Sequence, residues 1–155
     1  MGAIFNVFPL ILIPVLIYNI WAFGNTAAGT TGADVRAHLG DRMFGVPMAS
    51  REAGIAGAMQ PVEWVVTFGD LLMLLALLLL FIELLKSTST GTTAIFNHAL
   101  SMLVFIICLV EFLLHPAFAT SVFFMIMFMS LLDVLAGVVV TIVSARRDVE
   151  FAGQG

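Results

Sequence analysis

The apolar and polar positions divide the chain into four long apolar stretches separated by polar segments of unequal length. Trp64–Leu85, WVVTFGDLLMLLALLLLFIELL, holds enough apolar side chains in succession to cross a bilayer, which takes about 20 residues. With Pro61 suited to a first helical turn, this span is placed at residues 62–85. Comparable stretches cover residues 4–23, 93–114 and 119–143. The pattern predicts an all-α polytopic membrane protein. It forms a single membrane domain over residues 1–155, a four-transmembrane-helix bundle with one long extramembrane loop at residues 24–61.

The first stretch opens MGAIFN, without Lys or Arg, and runs longer than a signal-peptide core of about 7–15 residues, so it reads as a retained span. Asn6 stands where a myristoylation signal at Gly2 needs Ser or Thr. Pro14 predicts a kink, because it removes a mid-helix hydrogen bond. The loop gathers Gly, Ala and Thr with Asp34, Arg36, Asp41, Arg42, Arg51 and Glu52, and has room for short helices at residues 33–38 and 51–58. Trp21 and Trp64 flank it, as aromatic-belt residues do at a membrane face. The polar run STSTGTT and the short link His115–Pro116–Ala117 make the last three spans antiparallel neighbours.

Composition supports this picture. The chain is 61% hydrophobic and 10% charged, against about 25% charged in a soluble domain. A net charge of −4 with only six Lys and Arg provides no nucleic-acid footprint. Cys108, the single cysteine, excludes an intrachain disulfide and a cysteine metal cage. Lys86, Arg146 and Arg147 abut span ends on one face, whereas Arg36, Arg42 and Arg51 are scattered among acids on the other. Proximity to span ends favours N- and C-termini in the cytoplasm of a bacterial inner membrane.

The few polar residues inside the spans fall on seams. On the third span Asn97, Ser101, Cys108, Glu111 and His115, with Val104 filling one step, are spaced 4, 3, 4, 3, 4, the periodicity of a helix-packing face. Ser130, Asp133, Gly137, Thr141 and Ser144 form a second stripe, and Glu63, Thr67 and Asp70 a third. At 1.5 Å of rise per residue, Glu111 lies about 6 Å, Asp70 about 12 Å and Asp133 about 20 Å from the loop face. Ser101 lies near the level of Asp133, with His98 and Glu83 deeper. A carboxylate facing lipid costs about 2.5–3.5 kcal/mol, so these acids turn towards protein, water or a partner.

Two readings follow. In the first, the polar groups are interhelical glue at about 0.6–2 kcal/mol per contact. The chain is then a small non-catalytic accessory or assembly subunit, homo-oligomeric or bound to other membrane subunits, with Arg36, Arg42 and Arg51 forming a docking loop. In the second, Asp70, Glu111, Asp133, Ser101, Ser130, His98 and Glu83 mark a proton or cation path through a small channel or transporter. No catalytic motif, cofactor box or metal site is read: His98 and His115 stand near opposite ends of one helix, and the Glu111–His115 pair has no further ligands nearby. Met125, Met127 and Met129 with Phe123, Phe124 and Phe128 read as packing or lipid-facing residues. Glu83 and Lys86 read as an interfacial i,i+3 pair, and Arg146, Arg147 and Asp148 as a topological anchor.

The strings FGDLLMLLALLLLFIELLKSTSTG, NHALSMLVFIICLVEFLL and LLDVLAGVVVTIVSARRD resemble small four-span inner-membrane proteins of alphaproteobacteria. The resemblance covers the last three spans and brings no activity with it.

Overall fold

The computed structural model describes residues 8–27, 29, 31–53, 58–86 and 92–152. In order, these form α1 (Leu12–Ala27), α2 (Gly32–Leu39), β1 (Arg42–Ala53), β2 (Ala58–Thr67), α3 (Phe68–Lys86), α4 (Thr92–Leu114), a 3-10 turn (Pro116–Phe118) and α5 (Ser121–Ala152). Residues 4–7 of the first expected span, the turn at 87–91 and the side chains of Arg51, Ser144 and Arg147 lie outside the described residues.

Three helical segments are long and apolar enough to cross a membrane: Phe68–Lys86, Ile95–Leu114 and Ser121–Val143. Leu77, Phe81, Ile95, Leu113 and Val139 on their outer faces are each more than half exposed. Apolar surface on this scale is compatible with an integral membrane protein. α1 has 16 residues, about 24 Å against a hydrocarbon core of about 30 Å, and is a shorter apolar helix. Because α1 starts at Leu12, Pro14 falls in its first turn, where backbone N–H groups have no helical acceptor, and the mid-helix kink has no place.

The fold is mostly helical but not all-α. The stretch expected to hold a helix at 51–58 instead belongs to an antiparallel hairpin, in which β1 pairs with β2 from Arg42↔Thr67 out to Ala53↔Ala58. Residues 54–57 lie outside the described residues. β2 also absorbs residues 62–67, so the second span begins at Phe68 and Pro61 sits in a strand. The run Val62, Trp64, Val65, Val66, Thr67 is β-branched and aromatic, chemistry that favours a pleated strand. The helix predicted at 33–38 is present as α2, and the third span matches α4 closely. α5 continues past residue 143 to Ala152, about 48 Å in all, and so outruns the hydrocarbon core.

α5 packs along both α3 and α4, and α1 touches all three. The long-range contacts fix an up-and-down arrangement. Leu10 meets Glu83, and Tyr18 meets Thr120. Asn97 meets Glu83, and Ser101 meets Asp133. Each inner face follows a 3–4 spacing: Val15, Tyr18 and Ala22 on α1 (with Ile11 just before it), Leu72, Ala76 and Leu80 on α3, Val104 and Cys108 on α4, and Phe123, Ile126 and Met127 on α5. α2 closes the hairpin end of the bundle through buried Val35 and Leu39, with Arg36 Nη1 donating to Pro116 O at 3.4 Å.

Candidate functional site

The buried and half-buried polar side chains form two groups. The inner group lies where α3 ends and α4 begins. Glu83, one turn before the end of α3, is fully buried. Its carboxylate accepts from the Leu10 backbone amide at 2.9 Å, from Asn97 Nδ2 on α4 and from Lys86 Nζ at 2.9 Å. Lys86 also donates to Phe8 O at 2.9 Å and to Asn97 Oδ1 at 3.4 Å. Sequence spacing makes Glu83–Lys86 an ordinary interfacial pair; in the fold it is a buried clasp joining the segment before α1 to α3 and α4. Only the tertiary structure brings Leu10 and Asn97 to it.

One to two turns further in, Ser101 Oγ donates to Asp133 Oδ2 at 2.6 Å, both residues being buried. This bond sets the register of the antiparallel pair α4 and α5. His98 lies one turn from Ser101 towards the inner end, and its ring rests on Gly137; a Cβ at that position would overlap the imidazole. The helix therefore requires glycine where the histidine crosses. Ser130 is buried but spends its hydroxyl on Met127 O of its own helix.

The outer group lies at the hairpin end. Asn19 Nδ2 donates to Glu111 Oε2 at 3.2 Å, tying α1 to α4. Tyr18 donates its hydroxyl to Ala117 O at 2.9 Å and shares a 2.7 Å hydrogen bond with Thr120 Oγ1, which also caps α5 by accepting from Phe123 N. Asp70, which the sequence pattern sets two turns into a span, occupies the third position of α3. Thr67 Oγ1 and N both donate to Asp70 Oδ2, at 2.7 and 2.9 Å, and Asp70 N donates back to Thr67 Oγ1 at 3.2 Å. That reciprocal pattern is a capping box. Thr31 and Asp34 repeat it at the start of α2, where the Thr31 hydrogen bonds, backbone first, hold the Asp34 carboxyl below its usual range. The string Thr-x-x-Asp, present at both places, was the available signal for these helix starts.

Between the two groups lies a layer formed by Val15, Leu72, Ala76, Val104, Cys108, Ile126 and Met127, all buried. Asp133 and His98 are on its inner side; Glu111 and Asp70 are on its outer side. Of the loop arginines, Arg36 is bound to Pro116 O and Arg42 is ion-paired with Glu63 across the hairpin, so these two do not share one patch. A cleft of about 370 Å³ opens beside Arg36, lined by Thr67, Thr120 and Ser121. Among the described residues no three His, Cys, Asp or Glu side chains converge on a metal-sized site.

Comparison with protein-family models, curated proteins and solved structures finds no match for this chain, so its function is read from its own geometry.

Proposed function

We propose that the chain is a small non-catalytic integral membrane protein that acts as a subunit of a membrane assembly, formed with further copies of itself or with companion membrane subunits. Its place is a bacterial-type inner membrane, with both termini cytoplasmic and the hairpin on the opposite face. The observation that carries this reading is the hairpin. Val66 at its base is buried, while Met43, Phe44, Val46, Trp64 and Val65 are exposed. A two-stranded ribbon with little packing of its own is marginal in water and presents unpaired strand edges. Such an element gains stability by adding a partner.

The polar groups agree with a structural role. Glu83, Glu111 and Asp70 are each satisfied by groups of this chain, in positions that join or cap helices. The apolar layer between the two groups lends no support to a conducting file through the whole thickness.

The test replaces residues 44–65 with a short Gly-Ser turn. Arg42 and Thr67 are paired at the hairpin base, so the flanking chain ends are already adjacent. Circular dichroism of the extracted protein should show the helices intact, and native mass measurement should show the assembly lost. Survival of the same assembly after this replacement would move docking to the helices.

A further inference from the structure

Among the described residues, three buried polar atoms make no hydrogen bond within the chain: Asp133 Oδ1, His98 Nδ1 and His98 Nε2. They belong together. Ser101 is bonded to Asp133 across the α4–α5 interface, His98 precedes Ser101 by one turn, and Gly137, on which the His98 ring rests, follows Asp133 by one turn. In an antiparallel pair this puts the imidazole and the carboxylate on successive turns of one interface, about 5 Å apart along the axes. Two hydrogen bonds of about 2.8 Å through one water span that interval. Buried water is held where two to four polar partners converge, and Asp133 Oδ1 and the ring nitrogens are such partners.

We infer that Asp133 and His98 form an internal proton-binding site in which a buried water links Asp133 Oδ1 to an imidazole nitrogen of His98. The site takes up one proton: a hydronium ion gives its proton to the carboxylate–imidazole pair and leaves as water, with no other bond made or broken. The charged and titratable groups facing Asp133 are His98 from α4 and Glu83 and Lys86 from α3; α1 contains no charged residue. Asn97, adjacent to His98 in sequence, spends its amide on the Glu83–Lys86 clasp. Towards the hairpin the apolar layer closes it. The arrangement is therefore a proton-loading site rather than a pathway. It is independent of the assembly reading above, which rests on the hairpin.

Infrared difference spectroscopy on the intact detergent-solubilised chain, stepped in pH, tests this. Asp133→Asn assigns the carboxyl band, and isotope-labelled histidine, with His98→Gln as reference, assigns the imidazole band. The two bands should change together in the wild type. His98→Gln should move the Asp133 midpoint by about one pH unit or more, the mark of coupled sites. Transfer to ¹⁸O-water should shift a bound-water O–H band that His98→Gln removes. An Asp133 midpoint indifferent to His98, or no such water band, overturns the inference. If His98→Gln does not fold, the labelled wild type decides alone: separate midpoints for the two bands also overturn it.

Discussion

The Leu10 backbone amide donates a 2.9 Å hydrogen bond to Glu83 Oε2 across 73 positions of sequence. It fastens the segment leading into α1 to the end of α3, and Asn97 and Lys86 complete the carboxylate's shell. A buried ion pair is costly to break from one side, because the remaining charge keeps its desolvation cost without its partner. Lys86→Met should therefore destabilise the bundle by about 3–5 kcal/mol in a detergent unfolding equilibrium. Glu83→Leu with Lys86→Met should cost less than the sum of the two single changes, because the pair is removed together.

Gly137 is predicted to be intolerant of even one methyl group. Gly137→Ala forces its Cβ into the His98 imidazole and should cost about 1–3 kcal/mol by overpacking. His98→Ala placed in the same chain should recover most of that loss. Equal stability of the single and double variants would mean that the ring does not lie against this glycine.

The α2 cap should be pH-sensitive. Thr31 holds the Asp34 carboxyl below its ordinary range, so the ionised form is favoured by folding. The stabilisation is fully present above the unfolded value of about 3.9 and is lost as pH falls through the lower, folded value. Protection factors for hydrogen exchange at the amides of Val35 to Leu39, taken relative to the intrinsic rate at each pH, should fall across that acidic window. Asp34→Asn should flatten the dependence.

Neutral polar replacements separate glue from conduction. Asp70→Asn, Glu111→Gln and Asp133→Asn retain hydrogen-bonding capacity but do not exchange a proton near neutral pH. Each should assemble as the wild type does. The wild-type chain in liposomes with a pH-sensitive dye should show no flux under an imposed potential, which supplies about 2.3 kcal/mol per charge per 100 mV. A voltage-driven flux abolished by these variants would establish the channel reading.

Topology is open to chemical labelling against a quiet background, since Cys108 is buried. A cysteine at Ala33 should react with an impermeant thiol reagent in intact cells, and one at Thr90 should not. The reverse pattern would place the hairpin in the cytoplasm.

Periodicity alone marked the long apolar helices and the inward face of α4, whereas the stripe read through Glu63, Thr67 and Asp70 is not a helix face, because Glu63 and Thr67 lie in β2. Apolar run length sets the second, third and fourth segments, and the 4, 3, 4 spacing of Asn97, Ser101, Val104 and Cys108 marks residues that are all buried in the fold. These features are local in sequence, because a helix face repeats every three or four positions. Helix starts carry a local signal in the two Thr-x-x-Asp strings, but apolar run length masks the second and extends that span six residues too far. The hairpin was not legible: each strand combines apolar residues with charge and a proline, Pro47 in β1 and Pro61 in β2, and pairing between them is a non-local choice. The role of each acid was decided by the tertiary structure. Glu83 and Asp133 have similar chemistry and both lie on apolar helices, yet Glu83 meets a lysine, an asparagine and a distant backbone amide. Asp133 meets one serine and keeps an oxygen unpaired. Which partners reach a buried carboxylate depends on helix register and on what crosses opposite it, and no stretch of sequence carries that information by itself.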